Sequence, residues 1–229
     1  MSDARNAILG SIRRSLRRDA IPPERAAALE ARLSNPTPNL IPARARGDAR
    51  KVIELFAEMA AFSQATLARV RSVRDVPGAV AEYLASQNLP ASFVMAPDPE
   101  LDEIPWGERP TLSIRRGKTE GGDQVSVTGA FAAIAETGTL MLISGPDHPS
   151  TLNFLPETHV VVLKAGKIVG PYEEAWSRLR AAHRGTPPRT VNFVTGPSRS
   201  GDIEQRLLMG AHGPRRLHVV LIEDQETGS

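Results

Sequence analysis

Two almost continuously apolar segments constrain the fold of this chain more than any other feature. One contains VVVLK and ends at residue 164, and the other, LHVVLIE, covers residues 217–223. Successive side chains of a strand point to opposite faces, so uninterrupted apolar strands are typical of a sheet that is covered on both faces. The strands predicted for this half of the chain are 124–128, 139–144, 159–163, 190–195 and 217–223.

Helical segments alternate with strands along the chain. The predicted helices are 48–62, 76–87, 172–182 and 202–209, and the predicted earlier strands are 65–70 and 92–96. Alternation of this kind favours a parallel or mixed sheet with helices on its faces. We therefore predict an α/β fold with an open, mostly parallel, Rossmann-like sheet and helices on both faces.

The basic residues are concentrated at the start of the chain. Residues 1–50 contain ten arginines and five acidic residues, a net charge of +5, whereas residues 51–229 contain 18 basic and 21 acidic residues, a net charge of −3. The segments ARNAILGSIRRSL and IPPERAAALEARL each predict a helix, and a proline-rich stretch follows them. We predict an N-terminal helical extension with a linker over residues 1–47 and an α/β domain over residues 48–229.

The basic first helix has two interpretations. It could bind nucleic acid or an anionic membrane surface, or it could dock by its apolar stripe and leave its arginines in solvent. Aromatic residues for base stacking are not interleaved with the arginines, so we do not expect nucleic-acid binding.

The absence of cysteine excludes several kinds of site within this chain. Disulfides, thiolate zinc sites and cysteine-ligated iron–sulfur clusters all require that residue. The sequence also has no histidine spacing typical of a metal site and no nucleotide-binding fingerprint. We therefore expect no metal and no cofactor. The sequence has no apolar run near the ~20 residues of a membrane span and no signal peptide, so we expect a cytoplasmic protein.

The segment TGPSRSGDIEQRLLMG predicts an anion site. Ser200 or Asp202 is placed to cap the predicted helix at 202–209, and the free N–H groups at a helix start attract anions. Arg199 adds a forked cation suited to carboxylate or phosphate, and Ser198 precedes it in the loop. The alternative is that the polar side chains only cap the helix and Arg199 is solvated.

Three further side chains are candidates for acid–base chemistry. Glu136 lies before a Thr-Gly-Thr turn, where it could be a base or nucleophile, or could merely accept hydrogen bonds from the turn. His148 and His212 lie in Gly/Pro loops, whereas His159 and His218 lie inside apolar strands and are interpreted as core residues. We expect Glu136, His148 and His212 to meet the Arg199 loop at the carboxyl edge of the sheet.

Several motifs together resemble a known family. The succession IAETGTL, LPETHVVVL, TGPSRSGDIE and GAHGPRRLHVVLIED is similar to the LUD domain of the lactate-utilisation protein C family. The resemblance covers residues 48–224, and the opening ARNAILGSIRRSL is also typical of the family. It implies a fold related to CoA transferases, ribose-5-phosphate isomerases and glucosamine-6-phosphate deaminases.

The resemblance also implies a function. It suggests a cluster-free subunit of a bacterial system that oxidises L-lactate to pyruvate, acting beside two iron–sulfur partner proteins and binding a small carboxylate or other anion. The alternative is a free-standing enzyme of the CoA transferase-like superfamily, which would act on a CoA thioester or phosphorylated metabolite through Glu136.

Overall fold

The chain forms two compact units, Met1–Leu40 and Ile41–Ser229. The computed structural model describes residues 2–17, 21–183, 186–203, 206–210 and 212–223, and at residues 2, 200–203 and 206–209 it describes the backbone alone. The first unit contains the two predicted helices, α1 (Ser2–Ser15) and α2 (Pro23–Ser34). The domain boundary at residue 47 stays a prediction.

The second unit alternates helices and strands. Its helices are α3 (Ala49–Phe62), α4 (Val76–Ser86), α5 (Pro99–Asp102), α6 (Thr151–Phe154) and α7 (Tyr172–His183). Its strands are β1 (Thr66–Val70), β2 (Ser92–Met95), β3 (Ser113–Arg116), β4 (Val125–Gly129), β5 (Ala132–Ile134), β6 (Thr139–Ile143), β7 (Thr158–Lys164), β8 (Ile168–Val169), β9 (Val191–Val194), β10 (Arg199–Ile203), β11 (Arg206–Met209) and β12 (Arg216–Ile222). No described helix is long and apolar enough to cross a membrane.

The main sheet has six parallel strands in the order β1-β12-β7-β4-β2-β3. The chain proceeds outward from β2 to β3 on one side and from β4 through β7 to β12 on the other. The strand order therefore reverses between β2 and β4, which makes their carboxyl ends a topological switch point. The predicted open, mostly parallel α/β sheet is confirmed.

Alternate residues of the central strands pack on opposite faces, as the apolar runs predict. On one face, Val160 and Val220 share a core cluster with Val80 of α4. On the other face, Val161 and Leu221 share a cluster with Phe56 of α3. Both faces of the strands are thus buried, which explains the continuous apolar runs Val160–Leu163 in β7 and Val219–Ile222 in β12.

A second, four-stranded sheet has the order β8-β5-β6-β9 and was not predicted. It contributes Leu140 to the core cluster of α3, and its other face packs against α7 through Met141 and Leu179. Strands β5 and β8 have three and two residues, too few to give a periodic pattern. The predicted strand at 190–195 exists as β9, but it pairs antiparallel with β6 in this second sheet.

The predicted helix at 202–209 is wrong. The backbone forms an antiparallel hairpin instead, in which Arg199 pairs with Met209 and Ile203 pairs with Arg206. The apolar residues at 203, 207 and 208 suit a helical stripe, but an eight-residue segment does not form a stable helix without tertiary packing.

Candidate functional site

A cavity of about 260 Å³ lies at the amino ends of β7 and β12. Its walls are the segment 193–199, which ends β9 and begins the hairpin, and the segment 212–214, which precedes β12. Asn153 and Phe154 of α6 complete the wall. His159 and Leu217, the second residues of β7 and β12, also line the cavity. The cavity is therefore built from elements of both sheets.

Backbone hydrogen bonds hold the two wall segments together. Ser198 N donates to Pro214 O at 2.8 Å, and Gly210 N donates to Ser198 O at 2.9 Å. His212 N donates to the Ser198 hydroxyl at 3.2 Å. Gly196 has a φ of +71°, and a Cβ there would lie 2.0 Å from Ser63 O, so the loop can take this path only with glycine.

The structure brings three of the sequence-predicted site residues to this cavity. Ser198, Arg199 and His212 all line it, and the side chains of Arg199 and His212 are exposed. Arg199 therefore contributes a solvent-exposed guanidinium to the lining. The predicted anion-site residues Ser200 and Asp202 lie in β10, and their side chains are outside the described residues.

Two parts of the predicted site geometry are wrong. Because β10 follows the loop directly, no helix start supplies free N–H groups. The cavity also lies at the amino ends of parallel strands, not at their carboxyl edge. The reason is the second sheet: β9 runs antiparallel to β6 there, so the loop that follows β9 reaches the opposite edge of the main sheet.

Two buried, neutral polar side chains line the cavity, and sequence reasoning did not assign them a functional role. His159 is fully buried, and its Nε2 lies 2.7 Å from the Thr128 hydroxyl, whereas its Nδ1 has no partner among the described residues. Burial lowers the pKa of His159 to about 3, so the ring stays neutral. Asn153 is only 5 % exposed. One-dimensional periodicity identifies such residues as buried but cannot show which cavity they border.

His148 lies elsewhere, near the topological switch point. Its Nδ1 is 3.6 Å from Oδ2 of Asp98, a carboxylate that follows β2 and accepts a hydrogen bond from Glu100 N. A pocket of about 10 Å³, room for one water, lies between His148, Thr128 and Asn153. His148 therefore does not line the larger cavity, although Asn153 borders both spaces.

Glu136 does not line the cavity, although the turn that follows it is hydrogen-bonded to the lining residue Thr195. It precedes the turn between β5 and β6, its backbone N donates to Gly170 O at 3.1 Å, and its side chain is partly exposed. The turn is fixed by Gly138, which has a φ of +67° and packs against the backbone of Ala60 in α3. Glu136 was predicted to share a site with the Arg199 loop. The described residues that line the cavity include Arg199 but do not include Glu136.

A chain of hydroxyl groups lies beside this turn. Thr139 Oγ1 is 2.6 Å from the hydroxyls of both Thr137 and Thr195, and the Tyr172 hydroxyl is 2.9 Å from that of Thr137. Thr195 also lines the cavity. These hydrogen bonds tie the β5–β6 turn to the end of β9 and so support the cavity wall. Within the described part of the chain, no group of three or more acidic or histidine side chains could hold a metal ion.

The segment that contains this cavity is similar to a known domain family. Residues 122–222 match the LUD domain family. Over 101 residues, 44 % of each chain, the sequence is 36 % identical to lactate utilization protein C of Anoxybacillus flavithermus. Over 103 residues, 44 % of this chain and 43 % of the relative, it is 34 % identical to lactate utilization protein C of Bacillus subtilis. The chain thus spans less than half the length of these curated relatives in the match.

A solved structure has the same fold. The crystal structure of a DUF162 family protein from Deinococcus radiodurans matches with a TM-score of 0.57 and 23 % identity, covering 77 % of this chain and 99 % of that chain. The fold and the matched segment define an α/β protein with a LUD domain. Over the matched segment the chain is similar to lactate utilization protein C, as its motifs predict.

Proposed function

We propose that the cavity between β9 and β12 binds a small carboxylate and that the chain acts in lactate utilisation. The observation that carries the proposal is the meeting of Arg199, Ser198 and His212 at one cavity. A guanidinium binds a carboxylate through two parallel hydrogen bonds, and it stays charged at every physiological pH.

The electrostatics and size of the cavity support a small anion. Arg199 is the cationic side chain of the lining, and the described lining contains no carboxylate. The buried His159 is neutral, so it adds no second charge to the lining. A volume of about 260 Å³ lies just below the ~300–1,000 Å³ typical of pockets for drug-sized ligands, so the cavity has room for a small carboxylate.

The relatives supply the physiological setting. They are named for lactate utilisation, and L-lactate is a small carboxylate of the size that the cavity accepts. Oxidation of lactate to pyruvate releases two electrons, and this chain has no cysteine with which to hold an iron–sulfur cluster. We infer that it serves as a cluster-free subunit and that iron–sulfur partner proteins carry the electrons. The geometry gives no support to the alternative role for Glu136 in CoA-thioester chemistry.

Isothermal titration of the purified chain with L-lactate and with pyruvate tests the binding proposal. The wild type is expected to bind, and Arg199→Ala is expected to weaken binding about 10- to 100-fold, which corresponds to the ~1.5–3 kcal/mol of a hydrogen bond to a charged group. Arg189→Ala is the matched control, since Arg189 is exposed and lies before β9 outside the cavity lining. No binding at millimolar ligand, or equal affinities for Arg199→Ala and wild type, would contradict the proposal.

A further inference from the structure

We propose that α1 binds an anionic lipid surface, with its apolar side chains inserted below the headgroups and its arginines among them. This role belongs to the N-terminal unit, Met1–Leu40, and goes beyond the proposed function, since it does not involve the Arg199 cavity. Of the two interpretations that the sequence leaves open for the basic first helix, the structure favours a helix that binds a surface.

The four large apolar side chains of this helix form an apolar stripe that is exposed to solvent. Ile8 is 60 % exposed, Leu9 38 %, Ile12 48 % and Leu16 57 %. Leu16 prolongs the last helical turn, because its N donates to Ile12 O at 2.9 Å. The neighbouring α2 has no buried residue either, so the two helices do not share a core. A 14-residue helix is only marginally stable in water without tertiary packing, so the apolar stripe needs a surface that covers it.

The arginines of α1 lie mainly outside the apolar stripe. At ~100° per residue the stripe covers an arc of about 100° around the helix, and Arg13, Arg14 and Arg17 lie beyond that arc. Together with Arg5 and Asp3 they give the described part of this segment a net charge of +3. An amphipathic helix with a basic polar face and low overall hydrophobicity lies in the plane of a membrane interface. The charge and the apolar surface of α1 thus both match an anionic bilayer.

Other occupants of the apolar stripe fit less well. Leu9, Ile12 and Leu16 have the alternating spacing of a coiled coil, but the pattern covers less than two heptads, and Arg5 falls at the preceding core position. Arg5 can extend from the stripe to a lipid phosphate, whereas a closed groove on a partner protein would bury its charge. Nucleic acid would pair with the arginines but would leave the apolar stripe in water. The observations therefore favour lipid over a protein or nucleic-acid partner.

Co-sedimentation of the full chain with lipid vesicles tests the inference. At low ionic strength the wild type is expected to bind vesicles of equal parts phosphatidylglycerol and phosphatidylcholine, and to bind pure phosphatidylcholine vesicles at least about tenfold more weakly. Arg13→Gln with Arg14→Gln should weaken binding to the anionic vesicles about 20- to 30-fold, the equivalent of ~1 kcal/mol for each basic residue. Arg25→Gln with Arg32→Gln is the matched control: it removes the same charge from α2 and should stay within about threefold of the wild type.

A second pair of variants tests the insertion of the apolar stripe. Ile8→Ser with Ile12→Ser should weaken binding to the anionic vesicles at least about tenfold, because two large apolar side chains are no longer buried in the lipid. Leu29→Ser with Leu33→Ser is its control, since these side chains of α2 are also exposed, and this variant should bind as the wild type does. All the substituted positions are exposed, so the variants are expected to fold.

The contrary outcomes are distinct. Equal binding to anionic and neutral vesicles, or binding to neither, would overturn the inference. Loss of vesicle binding in the arginine variant but not in the isoleucine variant would indicate a purely electrostatic contact and would overturn the inserted helix. A wild-type dimer that dissociates in the isoleucine variant, without any vesicle binding, would assign the apolar stripe to a second copy of the chain. None of these variants should alter titration with L-lactate, so failure of the proposed function is detected separately.

Discussion

Mild acid is expected to destabilise this protein because two of its histidines are buried in the neutral form. His159 is fully buried, and His218 lies under the stacked ring of Tyr83 with its Nδ1 2.8 Å from the Thr66 hydroxyl. Burial lowers the pKa of His159 to about 3 and that of His218 to about 4, from an ordinary value of 6.5. Desolvation penalises the charged ring in both cases.

The sign and size of the effect follow from proton linkage. Below pH 6.5 the unfolded chain binds a proton at each histidine, whereas the folded chain does not, so the free energy of unfolding falls as the pH falls. The loss begins near pH 6.5 and continues down to the folded pKa of each ring. Between pH 7 and pH 5 each histidine contributes about 2 kcal/mol, and together they contribute about 4 kcal/mol. The result depends little on the folded pKa values, since both lie below pH 5.

Urea denaturation followed by tryptophan fluorescence measures this loss directly. The wild type is expected to lose about 4 kcal/mol of unfolding free energy between pH 7 and pH 5. His159→Gln and His218→Gln should each halve that difference, whatever their own cost to stability, because the comparison is made within one variant. His183→Gln is the control, since this side chain is partly exposed, and it should keep the full difference. A wild-type loss below about 1 kcal/mol, or a loss unchanged in both buried-site variants, would refute the reasoning.

Three other predictions follow from the sequence and the packing. Gly138→Ala should lower the free energy of unfolding by about 1–3 kcal/mol, because alanine at a φ of +67° is strained and its Cβ would meet Ala60 N. Gly107→Ala is the control: a Cβ there meets nothing, so the free energy of unfolding should change by no more than about 0.5 kcal/mol in the same denaturation assay. Elemental analysis of the purified chain should find less than one equivalent of iron or zinc, and a full equivalent would contradict the cysteine argument. Loss of the gene should slow growth on L-lactate but not on pyruvate, and equal growth on both in a strain without another lactate dehydrogenase would contradict the proposed role.

Much of the main sheet could be predicted from the sequence because its strands and helices have strong periodic signals. The helix predicted at 48–62 is α3, and Asp48 caps it by accepting a hydrogen bond from Lys51 N. Strands β7 and β12 were predicted from apolar runs that only a doubly covered sheet accommodates. In these segments, local preference and tertiary packing agree.

The second sheet and the hairpin could not be predicted in the same way. Strands β5 and β8 are too short to carry a pattern of their own, and they are stabilised by pairing with each other and, for β5, with β6 across a turn. At β10 and β11, a short segment suits both a helix and a hairpin, and backbone pairing rather than residue preference determines the structure. The consequence for the site was large, because the predicted helix start was the source of its anion-binding N–H groups.

The candidate site was only partly accessible to sequence reasoning. Ser198, Arg199 and His212 could be singled out because binding residues are found disproportionately on loops. Asn153 and His159 could not, since a buried polar residue in an apolar context resembles an ordinary core position. What distinguishes them is their place beside a cavity, which is a property of the fold.

A crystal structure of the chain grown with saturating L-lactate tests the central claim most directly. The account predicts one lactate in the cavity between β9 and β12, with its carboxylate within hydrogen-bond distance, about 2.6–3.2 Å, of the Arg199 guanidinium. Lactate bound elsewhere on the chain, or an empty cavity at a concentration that saturates binding in solution, would contradict it.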